Sequence, residues 1–146
     1  MERKLSVTIV IPVYNEEVEL LERIETLLGF CKTHLDSFDW EVVIADNAST
    51  DRTLEIAHTL AKKYSRVHAL HLDKKGRGRA VKYAWTKSKA DFIIVFRQNK
   101  VGNFPDLSVW QVGVNILYVF ILNHKMIGSV ATVQFYIRNK VLNFAD

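Results

Sequence analysis

Residues Ser6–Val13 read SVTIVIPV, a nearly continuous run of apolar and β-branched side chains. A strand with one wet face alternates apolar and polar residues, whereas a strand covered on both faces does not. This run fits the second case, so helices are expected on either side of it. From Glu16 to about Leu35, Leu20/Leu21, Ile24, Leu27/Leu28 and Cys31 recur at three-to-four spacing, with Glu19, Glu22, Arg23 and Glu25 on the other face. Trp40–Ala45 (WEVVIA) reads as a second buried strand. Ser49 or Thr50 can cap the next helix, whose apolar stripe is Leu54, Ala57, Leu60/Ala61 and Tyr64. Val67–Leu72 is a third strand. Residues 78 to about 87 form a third helix with Val81, Ala84 and Trp85 inward, and Asp91–Phe96 a fourth strand. Strands alternating with helices demand a mostly parallel sheet with right-handed crossovers. The expected strand order is 3-2-1-4, with helices on both faces.

The 146 residues suffice for one domain with a real core, and 49% hydrophobic with 25% charged content is ordinary for a globular protein. The net charge of +4 suits a phosphate-bearing ligand or an anionic surface, and equally a solvated basic exterior. Cys31 is the sole cysteine, which excludes an intramolecular disulfide and points to a reducing compartment. Met1-Glu2-Arg3-Lys4 leads straight into the first strand with no signal-peptide core, so a cytoplasmic location is expected.

In open parallel sheets, ligands bind outside the carboxyl ends of the strands. After the first strand come Pro12-Val13-Tyr14-Asn15-Glu16-Glu17. Pro12 has no N–H and is expected to end the ladder. Tyr14 can stack on a base, and Asn15 and Glu16 can bond a sugar or base edge; a helix start capped by Asn15 explains the same residues. After the second strand, Asp46 can accept an imide N–H, while Asn47-Ala48-Ser49-Thr50-Asp51 also reads as a turn before a helix. After the third strand, Asp73-Lys74-Lys75-Gly76-Arg77-Gly78-Arg79-Ala80 joins two glycines to four cations, which suits a diphosphate or a solvated basic loop. His68 and His71 flank a strand and are expected to pack or face solvent. No histidine shares a metal-ligand spacing with an acidic or thiol partner.

The order VTIVIPVYNEE, EVVIADNASTDRT, LDKKGRGRAVKYAW, ADFIIV resembles the family 2 inverting glycosyltransferases of GT-A fold. The similarity is greatest to the dolichyl- or polyprenyl-phosphate glucose and mannose synthases and covers about residues 5–95. The resemblance implies a Rossmann-like α/β unit that binds a UDP- or GDP-sugar. Pro12, Tyr14 and Glu16 would then lie against the nucleoside, and Asp46 would hold the base. Asn47 stands where many members have a second Asp, and Arg77 and Arg79 fall in the basic Gly-rich segment near the diphosphate. The family implies Mg or Mn held by an Asp-x-Asp at the end of the fourth strand. Here that stretch is Val95-Phe96-Arg97-Gln98-Asn99, with no acid.

Charge also breaks there. Residues 1–95 carry 15 Lys/Arg and 14 Asp/Glu, against 5 and 2 in residues 96–146. The sequence therefore divides into a nucleotide-diphospho-sugar-binding part, 1–96, and a divergent apolar tail, 97–146, expected to be irregular or helical. The whole reads as a truncated GT-A unit. Val109–Leu122 is 14 residues long, too short to span a bilayer, and is expected to associate with a membrane, a partner or itself. A polyprenyl phosphate or a membrane surface is the expected further partner, with peripheral attachment, and no nucleic acid. Three functions stay open: a sugar transferase, an inactive nucleotide-binding remnant, and a membrane- or partner-interaction module.

Overall fold

The computed structural model describes residues 3–74, 76, 78–79, 82, 86–96, 129–130 and 133–137. Its elements are β1 (Ser6–Val13), α1 (Leu20–His34), β2 (Asp39–Asp46), α2 (Thr53–Lys63), β3 (Val67–His71), β4 (Phe92–Phe96), β5 (Ser129–Val130) and β6 (Val133–Ile137). One sheet runs in the order β3-β2-β1-β4-β6-β5. The first four strands are parallel, and β1 sits between β2 and β4 as expected.

The near-continuous apolar character of β1 follows from this position. Val7, Ile9, Ile11 and Val13 face α1 and α2, where they meet Leu20, Ile24, Leu27, Val42, Ile44, Ala57 and Leu60. Val10 faces the other way, with Ala45, Ile93 and Val95. Thr8 on that second face is fully buried, and it is satisfied by Glu41 and the Ser88 hydroxyl, each at 2.7 Å. Residues 78, 79, 82, 86 and 87 are helical; Val81, Ala84 and Trp85 lie outside the described residues.

Pro12 does not end the strand. The β1–β2 ladder runs past it to Val13↔Asp46, while the β1–β4 ladder stops at Val10↔Val95. Val13 O accepts from Asn47 N on the β2 side, so Pro12 turns its missing N–H toward β4, beyond the last pair.

The tail also departs from expectation. Residues 133–137 (VQFYI) are a strand rather than irregular or helical, pairing antiparallel with β4 from Phe92↔Ile137 to Phe96↔Val133, and β5 pairs antiparallel with β6. Without β6, one side of β4 would present unpaired N–H and C=O groups, and a run of β-branched and aromatic residues suits that place. Val109–Leu122 lies outside the described residues; among the described ones, no helix is long and apolar enough to cross a membrane.

Candidate nucleotide site

The carboxyl ends of β1, β2 and β3 align in one row, because Val13 pairs with Asp46 and Asp46 with His71. The loops leaving this row are tied to one another. Asn15 adopts φ 53°, a left-handed conformation that Asn tolerates better than most residues. Its N–H donates to Ser49 Oγ at 2.9 Å, and its Oδ1 accepts from Thr50 N at 2.8 Å. Glu16 N donates to Thr53 Oγ1 at 2.7 Å, Glu17 N to Asp51 Oδ2 at 3.2 Å, and Arg52 N returns a bond to Glu17 Oε2 at 3.0 Å.

These bonds correct the expected helix starts. Neither helix carries a local side-chain cap at its first residue. The N–H groups ahead of α1 are satisfied by the β2–α2 loop instead, and α1 begins at Leu20 after a turn over Glu16. Ser49 and Thr50 serve Asn15 rather than α2. Asp51 accepts from Thr53 N at 2.9 Å and so takes the capping role. Burial raises the Asp51 pKa, but the Thr53 hydroxyl and N–H and the Glu17 N–H outweigh it, leaving the carboxyl below its ordinary value.

Asp46 is fully buried. His71 Nδ1–H donates to its Oδ2 at 2.7 Å, and Ser49 N approaches the same oxygen at 3.4 Å. Its Oδ1 is buried and has no hydrogen-bond partner among the described residues. A buried polar atom without a partner carries a desolvation cost, and a ligand donor is one way to offset it. His71 was expected only to pack or face solvent. Its bond to Asp46 depends on the β2–β3 register, which joins residues 25 apart.

The other expected residues gather at the same end of the sheet. Pro12 and Tyr14 are half-buried at the end of β1, and Glu16 is half-buried in the turn that follows. Asn47 Oδ1 accepts from Gly76 N at 2.9 Å, tying the loop after β2 to the glycine loop after β3. Arg79 N donates to Gly76 O at 2.8 Å. A Cβ on Gly76 would lie 3.1 Å from Arg79 Cδ, so the arginine stem rests on the glycine. Arg77 lies outside the described residues. A groove of about 590 Å³ opens at the opposite end of the sheet, between Lys4, Lys32, Trp40 and Arg66. Three cations around it already have partners: Arg3 with Asp91, Lys4 with Asp36 O, and Arg66 with Asp39. The unpaired buried carboxylate oxygen belongs to the carboxyl end, and that end is the stronger candidate.

The described residues do not fit the metal that the family resemblance implies. Among them, no group of three or more His, Cys, Asp or Glu side chains is placed to hold a cation. The sequence at 95–99 supplies no carboxylate either.

The family profile for glycosyl transferase family 2 matches residues 8–96. The human dolichyl-phosphate beta-glucosyltransferase is 28% identical over 116 residues, covering 75% of this chain and 36% of that protein. Among solved structures, S. aureus TarS 1-349 superposes with a TM-score of 0.57 at 21% identity, covering 82% of this chain and 33% of that one. The mannosyltransferase PcManGT from Pyrobaculum calidifontis, solved with GDP-Man and Mn2+, gives 0.51 at 23% identity, covering 64% and 27%. The chain thus spans about a third of the length of the proteins it matches. The fold is the GT-A-type α/β unit these structures share, and the chain belongs to glycosyl transferase family 2.

Proposed function

We propose that residues 1–96 bind a nucleoside diphosphate sugar at the carboxyl ends of β1, β2 and β3, as the donor half of a hexosyltransferase. The observation that carries this reading is the buried Asp46 Oδ1, an acceptor with no partner among the described residues at the row where such ligands bind. In this reading Asp46 accepts a base N–H, and Pro12, Tyr14 and Glu16 flank the nucleoside. Asn47 holds the glycine loop in place. Arg77 and Arg79 offset the diphosphate charge. The name of the human relative supports a dolichyl phosphate as acceptor, and an acceptor on a lipid would hold the enzyme at a membrane surface. Residues 97–146 form the second unit of the reading, with β6 as its link to the donor half.

Calorimetric titration with UDP and GDP tests the binding. Asp46→Ala should weaken the preferred nucleotide roughly ten- to a hundredfold, the range for losing one hydrogen bond to a charged group. No binding of either nucleotide at millimolar concentration, or equal affinity in the variant, would overturn the site.

A second reading is a nucleotide-binding module without turnover. It is favoured by the acid-free stretch at 95–99, where the family resemblance implies two carboxylates. Removing charge neutralisation from a departing diphosphate costs several kcal/mol of transition-state stabilisation. In this reading the 146 residues alone bind nucleotide but transfer no radiolabelled sugar to a polyprenyl phosphate, with or without Mg or Mn. Metal-dependent transfer would decide for the transferase, and Asp106 would then be the first carboxylate to replace.

A further inference from the structure

Every donor that the described residues offer to the Asp46 carboxylate falls on one oxygen. His71 Nδ1–H reaches Oδ2 at 2.7 Å and Ser49 N lies 3.4 Å from it, while Oδ1 receives nothing. A carboxylate with both oxygens open accepts two parallel N–H bonds. The guanine edge offers such a pair through its ring N–H and its amino group. A carboxylate with one open oxygen matches a single N–H set between two carbonyls, which is the uracil imide. Each carboxylate oxygen has two acceptor sites, and on Oδ2 the His71 N–H and the Ser49 N–H take them, so a guanine amino group reaching for Oδ2 finds no free lone pair.

We propose that His71 is a specificity-determining residue: by filling, with the Ser49 N–H, the acceptor sites of Asp46 Oδ2, it leaves Oδ1 as the unpaired oxygen, and so it biases the site toward uracil over guanine. The proposal rests on the nucleotide-binding reading above. The side chain is not needed to place its own strand. The β2–β3 ladder runs from Val42↔Val67 to Asp46↔His71, and Leu72 N donates to Asp46 O at 3.0 Å. His71 also lies on an edge strand, with its side chain 36% exposed, so substitution there opens no core cavity. Its second nitrogen, Nε2, is 3.5 Å from Asp73 Oδ1, but that aspartate is 95% exposed. The shorter bond to buried Asp46 therefore fixes which nitrogen carries the donor proton.

The test is the ratio of UDP to GDP affinity in the wild type, His71→Ala and His71→Asn. The wild type should favour UDP by about tenfold or more, the usual scale for one unmet buried hydrogen bond. His71→Ala frees Oδ2 and should bring the two affinities within about threefold, mainly by improving GDP. His71→Asn keeps an amide donor near Oδ2 and should restore most of the preference. Equal affinities in the wild type, or a preference unchanged in His71→Ala, would overturn the role of His71. Equal loss of both nucleotides in His71→Ala would also overturn it, because a merely structural role predicts that result. If neither nucleotide binds the wild type, the site itself is wrong, an outcome separate from the others because the Asp46 titration fails with it.

Discussion

Two aspartates of this sheet are buried, one at each end, and they are used differently. Asp91 precedes β4 at the amino end. Arg3 donates to its Oδ1 at 2.6 Å, and the Ser6 N–H and hydroxyl donate to its Oδ2 at 2.9 and 2.8 Å. Asp46 ends β2 at the carboxyl end, with one oxygen bonded and one without a partner among the described residues. Both carboxylates lose water on folding, but only the first has it fully replaced. The amino end commits its polar atoms to holding β1 against β4. The carboxyl end leaves one buried acceptor without a donor among the described residues, and the proposed nucleotide site rests on that difference.

The largest test of that contrast is Asp91→Ala. It removes three hydrogen bonds to a charged group and should cost about 3 kcal/mol in urea unfolding, with nucleotide affinity unchanged. Lost binding at full stability would erase the distinction between the ends. Next is Asn15, which joins the two loops at the carboxyl end. Asn15→Ala loses the side-chain bonds to Thr50 and places alanine at positive φ, for about 2 kcal/mol, whereas Asn15→Gly should lose only about 1 kcal/mol. Equal losses measured by thermal melting would show that the backbone conformation carries no strain.

Smaller still is the stability change in Asp46→Ala, expected within about 1 kcal/mol, because removing a half-satisfied buried carboxylate also removes its desolvation cost. A loss as large as that of Asp91→Ala would make Asp46 a structural residue. The smallest effect concerns acid. Burial raises the Asp91 pKa, but the Ser6 N–H and hydroxyl and the Arg3 guanidinium outweigh it, so the folded value is depressed. Its contribution is complete above the ordinary aspartate pKa of about 3.9 and is lost as pH falls through the lower folded value. Asp91→Asn should therefore flatten the decline in stability below about pH 4; an unchanged acid limb would place that decline on other carboxylates, such as Asp51.

How much of this was legible in the sequence depended on how local the cause was. Ser6–Val13 was readable to the residue, and β2, β3 and β4 to within a residue at each end, because two-sided burial writes itself as a continuous apolar run. The row of expected ligand residues followed from the strand ends. The start of α1 shifted from Glu16 to Leu20 because its leading N–H groups bond side chains more than thirty residues away. His71 escaped notice for a similar reason: its partner is fixed by strand register, which no local pattern displays. The β6 strand was obscured by the loss of charge and periodicity around it, although its β-branched and aromatic residues suit the edge that β4 offers.

The central position of β1 has a consequence for the order in which the chain matures. Its partner β2 follows after one helix, but its bonds to the β4 side join residues 85 apart, as between Ser6 and Asp91. A chain made from its N-terminus completes β1, α1, β2, α2 and β3 by His71, before any of β4 has been made. At a synthesis rate of about 5–20 residues per second, the wait for β4 lasts roughly one to four seconds. During that interval the innermost strand of the finished sheet is an outermost one, with Val7–Val10 offering unpaired backbone groups on an apolar edge. The nascent chain is most prone to wrong pairing then, and the arrival of Phe92–Val95 ends the exposure.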